Sequence, residues 1–443
     1  MPPFWISFFS RFETRRAGAY MVHPVDLGRL IIWGSYALIL LVAPLVFTSS
    51  LSQTLLSQMG IAIIVCLSYN MLLGQGGMLS FGHAVYSGMG AFLAMHTLNL
   101  VSGGWPLPVS LTPLVGGLCS ALVAVVLGWV TTKKAATPFA MITLGVGELV
   151  WAMALMFPEF FGGEGGISGN RVTGSKPLGI TFGPQIQLYY LIAVYTFVST
   201  ALMYAFTRTP LGRMLNAVRD NPERVAFVGY NPQVVRYVSF VIAAFFAGIS
   251  GGLAALNFEI VTSEVVSGYR SGAYLLFTFL GGATFFFGPI LGGILMVLAF
   301  VLLSEFTKAW LLYLGLIFLF MVMYAPGGVA ALLMMNVRLA AFGHLRRLWT
   351  CYLGLAATAL VALVGAAAMV EMVYHLQLNK AMGPEMNFMG ATLNAHGTSS
   401  WFGAIYATVT GVALFELCRR EFVRQWGQAN EAIEQEIKRR ETE

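Results

Sequence analysis

Read from its residues alone, this 443-residue chain is all-α, a polytopic membrane helix bundle. Its composition, the length of its apolar runs and the placement of its charges each lead there. Hydrophobic residues make up 58% of the chain and charged residues 10%, with a mean hydropathy of +0.76, too few polar groups to clothe a water-soluble globule. Runs such as Leu30–Phe47, Val109–Val130 and Leu311–Tyr324 have the length of membrane helices, not of the roughly ten-residue alternating strands of a barrel. Threaded through about twelve such runs, all but Arg171, Lys176, Arg270, Lys308 and Lys380 of the 25 Lys and Arg fall on one side, and basic residues near helix ends are held in the cytoplasm, so both termini are expected there.

Segment 1–29 comes first, with Phe4, Trp5, Phe8, Phe9 and Phe12 beside Arg11, Arg15 and Arg16. This pattern suits a short helix in the inner-leaflet interface, with a disordered leader as the alternative. The first apolar run is long enough to span, which disfavours a cleaved signal peptide. Spans are expected at 30–48, 54–73, 79–99, 109–131, 138–157, 187–207, 237–256, 271–287, 289–304, 310–325, 350–371 and 401–418. Glycines interrupt two apolar segments, Gly74–Gly90 and Gly281–Gly293. Irregular backbone at membrane depth is tolerated where protein or a water-filled cavity satisfies it, which suggests a translocation path; close packing by small residues is the other reading.

Outside the membrane, the longest external connection is the glycine-rich Pro158–Gln185 and the longest internal one before residue 326 is Arg208–Arg236. In the latter, Pro210 starts a short helix with Leu211, Leu215 and Val218 on one stripe, and Asn221-Pro222 breaks it before a second turn reaching Gly229, giving a rigid elbow able to dock a partner. Pro326 with Gly327 and Gly328 closes the tenth span. Two further spans lead to a tail, 419–443, whose Phe422, Trp426, Ala429, Ile433 and Ile437 recur at helical steps, so an amphipathic cytoplasmic helix is expected.

Several functions are disfavoured. The basic residues are already explained by topology, which leaves no case for nucleic acid. Cys66, Cys119, Cys351 and Cys418 lack metal or redox spacing and read as packing residues; no metal, cofactor or catalytic residue is expected. No Walker A pattern occurs, so any ATPase that drives this chain is another polypeptide.

The strings GQGGMLSFGHAVYSGMGAF, TPFAMITLGVGEL, FFGGEGGISG, TPLGRMLNAVRDNPERVAFVGYN, LGGATFFFGPILGG and YAPGG resemble, in order and spacing, the LivM-type permeases of branched-chain amino-acid ABC importers. The resemblance covers about residues 50–330 and implies a bacterial inner-membrane subunit. It further implies four kinds of partner: membrane lipid, a LivH-type permease, two cytoplasmic ATP-binding subunits and a periplasmic substrate-binding protein. A domain at 30–330 then holds about ten family-like spans, while 331–418 is an extension with two more.

Position by position, Gly74, Gly77, Ser80, Gly82 and His83 match the family's broken segment; Met78 replaces its usual Gln, and Gln75 supplies an amide nearby. Glu148 matches an intramembrane acid, and Ser271 a family serine, but Ala273 replaces a common glutamate. The implied translocation path is Gln75, Ser80, His83, Glu148 and Ser271. For His83 and Glu148 a hydrogen bond within the bundle is the alternative. Gly163, Glu164, Gly165 and Gly166 match an external loop, read as a surface over the exit or as a flexible connector. Arg213, Arg219, Asp220, Asn221, Glu223 and Gly229 match the coupling elbow. A secondary transporter or channel that needs no ATPase stands as the alternative function; it would need ion-coupling groups within the spans.

Overall fold

The computed structural model describes residues 27–173, 181–343, 345–378, 383, 385–388 and 391–442. The aromatic and basic residues of the first 26 positions, Lys176 and Lys380 lie outside the described residues, as do the side chains of Arg346, Arg347 and Ile437. Two compact units result: one runs to Thr278 and includes Pro289–Val297, the other comprises Phe279–Gly288 and the chain from Leu298 onward.

The first unit begins with α1 (Leu27–Val46), α2 (Ser50–Leu73), α3 (His83–Ser102), α4 (Thr112–Thr131), α5 (Ala136–Met156) and α6 (Gln185–Arg208). Two short helices, α7 (Pro210–Asp220) and α8 (Pro222–Phe227), make the elbow before α9 (Pro232–Phe258). The chain spells out these three starts: Thr209, Asn221 and Asn231 each cap with a side-chain oxygen, accepting from Gly212, Arg224 and Gln233 N–H, and a proline follows each cap. That is where proline's missing N–H costs nothing.

Burial separates inner from outer helices: 78% of the apolar stretch of α2 and 72% of that of α9 is buried, against 33% for α4 and α5. Close approach at the centre depends on absent side chains. A Cβ on Gly248 would lie 2.4 Å from Ser120 Cβ and 2.7 Å from the Gly116 carbonyl; such contacts allow dispersion and interhelical hydrogen bonds where lipid removes the hydrophobic drive. Ser68 donates to the Ala243 carbonyl at 2.6 Å and Ser250 to that of Ile61 at 2.9 Å.

After α9, a two-residue strand β2 (Ile260–Val261) pairs antiparallel with β1 (Ile167–Ser168). Next come a 3-10 turn at Ser263–Val266 and α10 (Gly268–Gly281), and then α11 (Gly288–Leu298) after a glycine break in which Gly282 takes φ 114°. The spans expected at 271–287 and 289–304 are thus helices of 14 and 11 residues, the second extended by a π-helical turn at Ala299–Leu303; neither reaches the roughly 20 residues a crossing needs. Among the described residues, seven helices are long and apolar enough to cross singly.

The second unit contains α12 (Trp310–Tyr324) and α13 (Gly328–Ala341), bent by 52° at the expected Pro-Gly break. It ends in a hairpin of α14 (Leu345–Leu378) and α15 (Thr398–Thr442). Between them β3 (Glu385–Phe388) and β4 (Ala391–Asn394) form an antiparallel ribbon. Gly365 and Gly411 let α14 and α15 touch, since a Cβ on either would come within 2.4–2.9 Å of the facing helix. The amphipathic helix expected at 419–443 is the end of α15, which is continuous to Thr442. Its Phe422, Trp426, Ala429 and Ile433 pack on Leu339 and Phe342 at the close of α13 and on Leu348 and Tyr352 of α14. Covering that stripe within the chain removes it from water as effectively as a membrane would.

Candidate functional site

The elbow grips the broken segment directly. At the end of α2 the chain turns through Gly74–Gly76, and Gly77 takes φ 62°, a conformation glycine adopts at little cost. Arg219 of α7 lies on this turn: its Nη1 donates to the Gly74 carbonyl, and a Cβ on Gly77 would sit 2.7 Å from Arg219 Cγ. Leu215, fully buried, reaches the turn at Gly76, and Asn216 Nδ2 donates to Gln75 Oε1 at 2.9 Å. Gln75, expected on the path, sits where elbow and bundle join.

Beyond the turn, Ser80 and His83 are wholly buried. Tyr69 Oη donates to the Ser80 carbonyl at 2.7 Å and its ring meets the His83 imidazole edge-on, with centroids 5.1 Å apart. Because the single Ser68 proton goes to Ala243, Ser68 Oγ accepts from His83 Nε2 at 3.0 Å. Nε2 thus carries a proton, and among the described residues neither His83 Nδ1 nor Ser80 Oγ has a hydrogen-bond partner. In this conformation both side chains pack between helices and neither borders water.

Glu148 and Ser271 both lie by the first turn of α10. Gly82 packs so closely on α5 that a Cβ there would lie 2.3 Å from the Thr143 carbonyl, and Phe81 N–H donates to Thr143 Oγ1. One turn on, Glu148 is exposed and abuts the start of α10: its Oε1 is 2.9 Å from where a Gly268 Cβ would stand. Ser271 Oγ accepts from Ala84 N–H at 3.0 Å, satisfying one orphan donor of α3. Arg270 sits in the first turn of α10 beside this junction, paired with Glu264 at 3.3 Å.

At the far end of the bundle, the loop is built, not slack. Gly162, Gly163 and Gly166 take φ of 76°, 63° and 70°, and a Cβ on Gly166 would strike the Val261 carbonyl at 2.3 Å. Glu164 and Gly165 are exposed on a 3-10 turn. Arg171 clamps the end: its guanidinium donates to the carbonyls of Phe182, Gly183, Leu256 and Asn257 and to Gln185 Oε1. Four of these acceptors are backbone carbonyls, two at the close of α9, where a cation is favoured.

On the elbow, Arg213, Arg219, Asp220, Asn221, Glu223 and Gly229 are all exposed on one connection, with Arg219 and Asp220 paired at 3.0 Å. Sequence reasoning passed over Phe227, 89% exposed, and Tyr230 beside it. Their signal was present as bulky apolar side chains in a polar loop. Asn216, Arg171, Glu264 and Arg270 were missed because only tertiary packing gives them partners.

The chain matches the family described as branched-chain amino acid transport system, permease component, over residues 51–327. It is 29% identical over 294 residues to the high-affinity branched-chain amino acid transport system permease protein LivM of Escherichia coli (strain K12), covering 61% of this chain and 67% of that relative. The Salmonella typhimurium protein of the same name is 29% identical over 293 residues with the same coverage. No solved structure matches.

Proposed function

This chain belongs to the permease-component family of branched-chain amino acid transport systems, and from that premise we propose how it works in an ATP-driven importer. It is a transmembrane subunit with no hydrolytic role of its own. Its substrate is a branched-chain amino acid or a related small polar molecule, and its partners are a second, LivH-type permease, two cytoplasmic ATP-binding subunits and a periplasmic binding protein. Both termini face the cytoplasm, residues 30–330 form the permease domain, and 331–418 with the tail 419–443 are an accessory extension. The path borders Ser80, His83, Glu148 and Ser271, and the exposed Glu164–Gly165 turn faces the binding protein.

The observation that carries this reading is the seating of Arg219, Leu215 and Asn216 on Gly74–Gly77. A push on the elbow by an ATPase reaches the break between α2 and α3 through rigid contacts, without an intervening loop. Packed interfaces of this sort switch between discrete arrangements. The test is ATP-driven uptake by the complex reconstituted in proteoliposomes. Alanine at Arg219 or Asp220 should lower uptake per ATP hydrolysed while the membrane helices stay folded; wild-type coupling in both variants would refute the assignment. Uptake that needs no ATPase would instead establish a secondary transporter or channel.

A further inference from the structure

The Ser263–Val266 turn and the start of α10 lie deep in the bundle. A Cβ on Gly88 would strike Val266 Cγ1 at 2.3 Å and Val265 O at 3.1 Å, and Gly88 is about 21 Å below the Ser102 end of α3 at 1.5 Å per residue. Glu148 is about 18 Å from one end of α5 and 12 Å from the other by the same rise. Charged groups cluster here and face outward from the chain. Glu148 is exposed, Tyr269 is 48% exposed, and the Glu264 and Arg270 side chains are 60% and 33% exposed. Arg270 pairs with Glu264, whereas no ion pair to Glu148 occurs among the described residues. Non-helical backbone and exposed charge at mid-depth are incompatible with lipid and need a partner protein's polar groups or a water-filled surface. The two carboxylates and one guanidinium leave a net negative site that also holds a cation able to receive an anion.

We propose that Glu148, Glu264 and Arg270 form a transient station for an amino-acid zwitterion, a deepening that rests on the importer reading. The substrate ammonium is taken by Glu148 and its carboxylate by Arg270, which is shared with Glu264. Met141 and Leu144, exposed on the same helix, give an apolar side chain a surface to pass. Ser271 positions the junction through its bond to Ala84 N–H. The α3 N-terminus is not the anion site: Ala84 N–H is bonded to Ser271 and Val85 N–H to the Gly82 carbonyl.

The test uses the full reconstituted complex with its loaded binding protein. Glu148→Gln keeps an oxygen acceptor against α10 but removes the charge, so uptake by the assembled complex should fall about tenfold or more. Should that variant fail to assemble, Tyr269→Cys decides: its thiol should react with a water-soluble maleimide, and more slowly during turnover with substrate. Wild-type uptake in Glu148→Gln, or an unreactive thiol in Tyr269→Cys, overturns the station. A wild-type complex without ATP-dependent uptake overturns the importer reading instead.

Discussion

Replacing Gly77 by alanine tests the joint between elbow and bundle at its tightest point. Two costs arise there. A left-handed conformation costs an L-residue about 1–2 kcal/mol, and the new methyl would sit 2.7 Å from Arg219 Cγ, so the flexible arginine must shift and weaken its bond to the Gly74 carbonyl. Arg219 is 40% exposed on its side chain, so solvent screens that bond and its loss adds only about 0.5 kcal/mol. A combined penalty of about 2 kcal/mol changes the population of the seated state roughly thirtyfold. The expected outcome is a fall in substrate transported per ATP, measured side by side in proteoliposomes, with ATP hydrolysis persisting. A double-mutant cycle with Arg219→Ala sharpens the test, because shortening the arginine removes the steric term but leaves the backbone term. The double variant should therefore lose less than the sum of the two singles. Additive losses, or a Gly77→Ala complex coupled as well as wild type, would refute the proposed contact route.

Arg171→Ala frees four backbone carbonyls of their guanidinium donor and should lower the melting temperature of the purified complex; an unchanged melting curve would show that the clamp is dispensable. Ser271→Ala leaves the buried Ala84 N–H unpaired, a loss of about 1–3 kcal/mol readable as a lower denaturation midpoint, and equal midpoints would count against the cap. Ser80→Cys and His83→Cys should resist aqueous maleimides in the resting complex, since both positions are wholly buried; rapid resting-state labelling would contradict the packed conformation. Truncation after Leu348 removes the α14–α15 hairpin and should lower assembly yield while stimulated ATP hydrolysis survives, and a truncated complex that assembles normally yet cannot transport would make the extension part of the mechanism.

What could be read in the residues was whatever local chemistry dictates. Cap-proline pairs at Thr209-Pro210 and Asn221-Pro222 mark the elbow because both halves of the signal are adjacent in the chain, and Gly74–Gly77 and Gly281–Gly282 mark helix ends for the same reason. Burial could not be read in this way. Leu215 and Phe227 are both apolar residues of the elbow, but one is buried on Gly76 and the other is open to solvent. Hydropathy also overstated α10, since its apolar run continues into α11 through the glycine break at which Gly282 takes φ 114°. The partner of Gln75, Asn216, is 141 positions away and could not be read from its string. Counting span ends also could not show that the turn before Arg270 packs against Gly88 of α3.

The uninterrupted α15 has a mechanical consequence. Its 45 residues extend about 68 Å, more than twice the roughly 30 Å of a hydrocarbon core, so more than half of the rod stands clear of the lipid. No glycine or proline occurs after Gly427 to hinge it, and Glu416 with Arg419 and Arg420, then Glu421 with Arg424, brace consecutive turns. A tilt of this helix within the bilayer is therefore returned enlarged at Thr442, and a load applied there is felt within the membrane at the Gly365 and Gly411 crossing. The extension is thus a lever whose fulcrum is a pair of glycines.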